Sequence, residues 1–277
     1  MTLSRISDLP HALRDCQLLT RRVDSRRPVV FLDYDGTLTP IVDRPEDAVI
    51  SEHMRDAVRR LTERTTVCVV SGRDRSVVAR WMDIDGLVIA GSHGFDLGDH
   101  RDDAVWHNAM AGVAELLSTV TDRLRAEVEA VQGTVIEPKR FSVAVHYRLV
   151  APQERRDVKA VVDALLAGYP DQLKVTPGKM VYEIQPKVDW DKGKAVQYLR
   201  HALQVDGDEF VTLYLGDDIT DEDAFRALKD SPDGQLQGIG IVVADRSDPE
   251  QAGRTTAADF ALESTGEVRR FLDTLAR

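Results

Sequence analysis

Nowhere does the chain run apolar for the roughly 20 consecutive residues that a membrane-spanning helix needs. Its start, MTLSRISDLPHALRDC, also lacks the apolar stretch of about 7–15 residues that marks a secretory signal. Both absences argue against a membrane partner and lead to the expectation of a soluble, cytoplasmic protein. Cysteine is scarce too, with only Cys16 and Cys68 in 277 residues. A disulfide between them stays open, whereas two reduced packing thiols suit a cytoplasmic chain. Basic residues are outnumbered 36 to 47 by acidic ones, for a net charge of −11. That balance excludes nonspecific binding to nucleic acid or an anionic membrane, because each requires a basic face. A phosphorylated small molecule would have to meet local positive charge instead. What remains is an ordinary globular composition, 43% hydrophobic and 30% charged, without fixed-period repeats or low-complexity segments. The length suits one domain carrying an inserted module, and we expect a monomer.

The segment PVVFLDYDG is a short apolar run that stops at carboxylates and a glycine, as a buried parallel strand does at its C-terminal end. TTVCVVSGRD, GLVIAGSHG and EFVTLYLGDD repeat that design, while 51–64, 74–82 and 192–203 have helical character. Strand and helix therefore alternate, which predicts an α/β, doubly wound parallel sheet, with GIGIVVA and ADFAL as further strands. Ligands of such sheets bind beyond the carboxyl ends of the strands, so DYDGT, SGRD, GSHG and GDD should meet in one crevice. Between 108 and 185 the pattern becomes helix (109–131), strands TVIEP and SVAVHYR, helix (153–168), and strands LKVTP and MVYEIQP. Neither strand pair encloses a helix, so each predicts an antiparallel hairpin. The expected organisation is a helical extension over 1–27, a core over 28–107 and 186–277, and an inserted α-β-β-α-β-β cap over 108–185.

Chemistry concentrates at four chain positions. In Asp33-Tyr34-Asp35-Gly36-Thr37 the two carboxylates, if the chain is extended, point the same way and repel unless a cation accompanies them. Mg²⁺ would serve, bound through carboxylates, waters and a substrate phosphate oxygen, and an aspartate so placed can attack phosphorus. The segment alone also fits a polar turn, but not a calcium loop, whose sixth and twelfth positions require glycine and glutamate. In Ser71-Gly72-Arg73, Ser71 and neighbouring amides could bind phosphate oxygens, though three residues equally describe a plain turn. Asp191-Lys192-Gly193-Lys194 opens a helix with a lysine, an unfavourable place that asks for a reason; Lys192 is the candidate phosphate clamp and Lys194 the solvated alternative. In Gly216-Asp217-Asp218-Ile219-Thr220-Asp221-Glu222-Asp223, Thr220 and Asp223 suit a capping box, which leaves Asp217 and Asp218 unexplained unless they face a metal.

This set resembles the haloacid dehalogenase-like phosphatases. Over nearly all of the chain after the first residues it is similar to the trehalose-6-phosphate phosphatase family, through FLDYDGTLTPI, VSGRD, AGSHG, EPKRFSVAVHYR, GKMVYEIQP and DWDKGKA. The resemblance implies a Rossmann-like core with a C2-type cap and a Mg²⁺-dependent phosphoric monoester hydrolase, acting on trehalose 6-phosphate at the last step of trehalose biosynthesis. It implies Asp33 as nucleophile, Asp35 as general acid and base, and Ser71 and Lys192 as phosphate ligands. Mg²⁺ would be held by the Asp33 carboxylate, the Asp35 backbone carbonyl and Asp217, with Asp218 and Asp221 in support. Glu137, Lys139, Arg148, Lys179 and Glu183 would contact the sugar or its phosphate as the cap closes, with His93 a candidate from the core.

The charged hairpin residues also make chemical sense unaided by the family, since paired carboxylates and cations hold sugar hydroxyls bidentately. Single charges on strands are more often just solvated, and His146 suits a packing hydrogen bond equally well. The core motifs do not encode the sugar, so sucrose 6-phosphate or another sugar phosphate is an alternative. A silent sugar-phosphate-binding module is another, against which the complete acidic set argues.

Overall fold

The structure is a computed structural model that describes residues 3–23, 25–99, 112–128, 131–229 and 238–277. Its elements in chain order begin with β1 (Ser4–Arg5), α1 (Cys16–Val23), β2 (Arg27–Leu32), α2 (Glu52–Thr62), β3 (Val67–Val70), α3 (Arg75–Met82), β4 (Val88–Gly91) and β5 (Asp96–Asp99). Next come α4 (Val113–Val128), β6 (Val135–Pro138), β7 (Val143–His146), α5 (Arg155–Ala167), β8 (Leu173–Gly178) and β9 (Val181–Pro186). The chain finishes with α6 (Lys192–Ala202), β10 (Phe210–Gly216), α7 (Asp221–Ala227), β11 (Gly238–Val243), α8 (Pro249–Gly253), β12 (Thr255–Thr256), β13 (Phe260–Leu262) and α9 (Thr265–Leu275). Two compact units result: Met1–Ala104 with Trp190–Arg277, and Val105–Asp189. No helix among the described residues is long and apolar enough to cross a membrane.

The first unit is built on a seven-stranded sheet of order β13-β11-β10-β2-β3-β4-β5. Every neighbouring pair is parallel except β4 with β5, an antiparallel edge that the sequence pattern did not announce. Alternation along β2 sorts side chains into two layers. Val30 and Leu32 pack in one apolar cluster with Met54, Val58 and Leu61 of α2 and Phe271 of α9. Val29 and Phe31 join the other, with Val196 and Leu199 of α6 and Phe225 of α7. Covered on both faces, the central strands read as continuous apolar runs rather than alternating ones. Helix α2 forms where apolar residues recur at 54, 57, 58 and 61 behind an N-cap, Ser51, whose side chain accepts from Met54 N.

The second unit holds a four-stranded antiparallel sheet of order β6-β7-β9-β8, backed by α4 and α5 through a cluster including Leu117, Val120, Val143, Val145, Val162 and Ile184. Of the helix expected at 109–131, Val113–Val128 is helical, and 109–111 and 129–130 lie outside the described residues. Cys68 is buried in β3 and Cys16 exposed, and both are free thiols, so the disulfide alternative falls.

Among the described residues of the first 27, Cys16–Val23 is α-helical and Ile6–Asp8 makes a single 3-10 turn, while the start is otherwise drawn into extended pairings. Ser4 and Arg5 pair with β12, Ala261 N donates to Pro10 O, and Ala12 N donates to Ala261 O, so this segment covers the edge strand β13. Ile6, Leu9 and Ala12 are buried there. His11 Nδ1 accepts from Leu13 N and Arg14 N, which leaves Nε2 to donate to Glu267 Oε2 at 2.9 Å. Burial pushes the Glu267 carboxyl up, but the Glu263 amide, His11 and Arg270 outweigh it and hold its pKa below the usual value. A depressed carboxylate pKa contributes stability that is full above the unfolded value and lost as pH falls through the folded one. Glu267→Gln is therefore expected to cost about 1 kcal/mol at neutral pH and to flatten the acid side of the profile. Urea midpoints measured from roughly pH 7 down to pH 3 check this, since that range spans the titration of a depressed carboxylate.

Candidate active site

Strand β2 ends at Leu32, and the chain turns before the second aspartate. Asp33 N donates to Leu215 O of β10, while Tyr34 O accepts from Leu38 N and Thr39 N. The two carboxylates therefore do not share a strand face as they would in an extended chain: they lie past the strand, at the turn, and meet different cations. Tyr34, between them, is fully buried and donates its hydroxyl to Ala48 O at 2.9 Å.

Asp33, 4% exposed, meets Lys192 at the first position of α6, whose N-cap Asp191 accepts from Lys194 N. Lys192 Nζ donates to Asp33 Oδ1 and to Asp221 Oδ1, both at 2.7 Å. Asp221 is saturated further by the Tyr214 hydroxyl at 2.7 Å and by Asp218 N at 2.9 Å. The capping box expected from Thr220 and Asp223 does not form: Thr220 is helical in its own dihedrals and makes no side-chain cap bond. Asp218 thus reaches the cluster through its backbone, and Lys192 contacts two of the carboxylates.

Oxygens of Asp33, Asp217 and Asp221 lie within 4.8 Å of one another, all three residues buried. Burial, reinforced by Asp221 and Asp217 and opposed by Lys192, pushes the Asp33 carboxyl well above the usual carboxylate range. Burial acts in the opposite sense on Lys192, but Asp221 and Asp33 overcome it and raise its pKa above that of an ordinary lysine. Three carboxylates crowded together in a dry place form a donor set that suits a hard divalent cation with oxygen ligands. Asp221 already accepts three hydrogen bonds, so Asp33 and Asp217 are the carboxylates suited to hold it. Gly36, at φ +82, permits this arrangement, since a methyl group there would overlap the Asp217 carboxylate.

Asp35 forms a separate pair. Arg73 Nε donates to its Oδ2 at 2.6 Å and Arg73 Nη2 to its Oδ1 at 2.7 Å. Ser71, buried at the end of β3, accepts from Arg73 N at 3.1 Å through Oγ, and its carbonyl accepts from His93 N. Ser92 and His93 adopt left-handed dihedrals at the end of β4. The His93 ring lies over Gly72, where an added Cβ would stand 2.8 Å from Cε1. The SGRD and GSHG segments are thereby fitted to one another.

In the second unit, register aligns Glu137, Ala144, Glu183 and Thr176 in one cross-strand row. Lys139 Nζ donates to both Glu183 oxygens at 3.0 and 3.1 Å, and Ser142 Oγ bonds the same carboxylate. Glu137 Oε2 and His146 Nε2 are 2.8 Å apart, and Arg148 Nη2 donates to Lys179 O at 2.8 Å. The opposite sheet face is apolar, so Glu137, His146 and Glu183 share a polar face, while Lys139, Arg148 and Lys179 lie just beyond the strand ends.

Three residues at these places had no role in the sequence reading. Arg73 stood inside a motif quoted for its serine, Tyr214 sat in the run VTLYLG and read as packing, and Ser142 was one hydroxyl among apolar strand residues. The arginine in SGRD, two residues beyond a candidate phosphate ligand, was the one usable signal.

A family model described as trehalose-phosphatase matches residues 31–265. The trehalose-phosphate phosphatase of Mycolicibacterium paratuberculosis is 43% identical over 98% of this chain and 68% of that protein. A Mycobacterium tuberculosis protein described as an uncharacterized glycosyl hydrolase is 42% identical over 98% of this chain, which spans 20% of its length. Among solved structures, the C-terminal domain of C. albicans trehalose-6-phosphate phosphatase has a TM-score of 0.77 at 25% identity, covering 97% of this chain and 98% of that one.

Proposed function

This chain belongs to the trehalose-phosphatase family, and we propose that it hydrolyses trehalose 6-phosphate to trehalose and phosphate through an aspartyl-phosphate at Asp33. The observation that carries the chemistry is the buried cluster in which Lys192 joins Asp33 to Asp221 beside Asp217. In the first half-reaction an Asp33 oxygen bonds to phosphorus as the bond from phosphorus to the sugar oxygen breaks, and Asp35 gives its proton to that oxygen. In the second, a water oxygen bonds to phosphorus as the bond to Asp33 breaks, and Asp35 takes the water's proton. Dividing hydrolysis this way replaces one difficult displacement with two easier ones.

Lys192 and the Ser71 hydroxyl offset charge on the transferring phosphoryl oxygens, and Asp221, fixed by Tyr214 and the Asp218 amide, keeps Lys192 aimed at Asp33. Mg²⁺, held by the Asp33 carboxylate, the Asp35 carbonyl and Asp217, would add positive charge on those oxygens when bound. Recognition of the disaccharide is assigned to the second unit, through Glu137 and Glu183 on its polar sheet face and Lys139, Arg148 and Lys179 at the strand ends, with His93 a candidate of the first. A carboxylate already gripped by a lysine and a hydroxyl, as Glu183 is, presents a rigid acceptor to sugar hydroxyls.

Phosphate release from trehalose 6-phosphate tests the reading. After chelation, adding Mg²⁺ is expected to raise the rate at least about 100-fold, the scale of several kcal/mol that a bound metal contributes. Faster turnover of sucrose 6-phosphate or a hexose monophosphate would reassign the sugar, and tight binding without turnover would revive the silent module.

A further inference from the structure

Arg73 is held from three sides, and only one of them is the carboxylate. Its guanidinium carbon lies 4.9 Å from the centre of the Trp81 ring and 5.7 Å from that of Tyr34. Those two rings stack on each other, with centroids 5.8 Å apart and planes 22° from parallel. Nη1 donates to Pro45 O at 2.7 Å, in the loop that follows the aspartate turn. Nε and Nη2 are left as a fork on Asp35. The arginine side chain is 11% exposed, the Asp35 side chain 34%.

The fork therefore belongs to the rigid partner, and the more exposed group is the one being aimed. An aspartate in a turn would otherwise sample several rotamers in contact with solvent. Two parallel hydrogen bonds from a planar donor fix both the direction and the plane of its carboxylate, which a single ammonium could not do. Each carboxylate oxygen has a second lone pair, so the fork leaves acceptor capacity on both. Tyr34 takes part in this support through its ring, which accounts for an aromatic residue between two aspartates.

We infer that Arg73 is a positioning residue that aims the Asp35 carboxylate at the oxygen leaving phosphorus, with Trp81, Tyr34 and the Pro45 carbonyl as its mount. This rests on the phosphatase reading above, in which Asp35 gives its proton to the leaving sugar oxygen. An activated aryl phosphate supplies the contrast, because its leaving group departs without a proton and its first turnover does not depend on where Asp35 points.

The test compares wild type, Arg73→Lys and Trp81→Leu on trehalose 6-phosphate and on p-nitrophenyl phosphate, with Mg²⁺ present. For Arg73→Lys, kcat on the sugar phosphate is expected to fall about 100-fold with KM within about threefold, while p-nitrophenolate release in the first turnover stays within about threefold of wild type. For Trp81→Leu, which leaves the fork itself in place, the sugar phosphate rate is expected to fall about fivefold, again without a matching aryl phosphate loss. Equal losses on both substrates would assign Arg73 to phosphate binding or to folding, and undiminished turnover of the sugar phosphate would show that the fork does no aiming; either overturns the inference alone. A wild-type protein inactive on both substrates would overturn the functional reading, and this role with it.

Discussion

Asp33→Asn is expected to lower phosphate release from trehalose 6-phosphate by about 10⁴–10⁶-fold, the range seen when a catalytic nucleophile is removed. The amide keeps the size and planarity of the carboxylate, so the turn after β2 is preserved, but it cannot form the acyl-phosphate. Full phosphate release by the variant would mean that water attacks phosphorus directly. The same substitution should also make the metal-free protein more stable. Asp33 is crowded by Asp217 and Asp221, and burial together with those two carboxylates holds its pKa up against the pull of Lys192. A raised carboxyl pKa means that the ionised group opposes folding: its contribution to stability is present at low pH and lost as pH rises through the folded value. The amide removes that loss, so the variant's melting temperature at neutral pH should exceed wild type by about 2–4 °C, and the gap should close towards acid pH. Thermal melts in chelator across that range read the gap, and a gap that widened in acid would contradict a raised Asp33 pKa.

Lys192→Met has the opposite sign on stability. Its side chain is 3% exposed, and its ammonium donates to two buried carboxylates at 2.7 Å. Methionine fills the space, but Asp33 and Asp221 then face each other without a cation. Leaving a buried charge uncompensated costs about 3–5 kcal/mol, and we expect a loss of that order in urea denaturation without metal, smaller at acid pH where Asp33 takes up a proton. Removing a positive group aimed at transferring phosphoryl oxygens should lower kcat by about 10²–10³-fold. A variant with unchanged midpoint and unchanged kcat would rule out Lys192 as the clamp.

Much of the first unit was readable because a strand buried on both faces can only be an apolar run, and VVFL, VCVV and VTLYLG stop where the ligand side of the sheet begins. Helix starts were readable where a side chain caps them, as Ser51 and Asp191 do. Thr220 misled because its own backbone is already helical, so its hydroxyl cannot cap. Neither β5 nor β1 was legible: one is DLGD, and the other is two residues whose pairing is decided by the edge they cover. Residue types at the site were legible for a similar reason, since carboxylates at strand ends have few structural uses. Their pairing was not. Asp33 and Asp35 are two residues apart and were read as facing alike, whereas the turn sends one to Lys192 and the other to Arg73, contacts across 159 and 38 positions of sequence. Arg73 in turn depends on Trp81 and Pro45, neither of which carries a motif.

The central pairing of β2 with β10 also orders events in time. Val29 pairs with Thr212 and Leu32 with Leu215, and Asp33 N reaches back to Leu215 O. A nascent chain that has emerged only as far as the second unit already carries Asp33, Asp35 and Ser71, yet has neither the strand that anchors the turn nor the lysine that faces it. The second unit, whose strands among the described residues pair with one another, can close first, while VVFL and VCVV wait with exposed apolar faces. Such long-range pairing is slow and prone to aggregation until the partner strand arrives. The turn that carries Asp33 would then be among the last features of the molecule to take shape, and a ribosome stalled before residue 216 would hold a chain with Asp33 made but not yet seated.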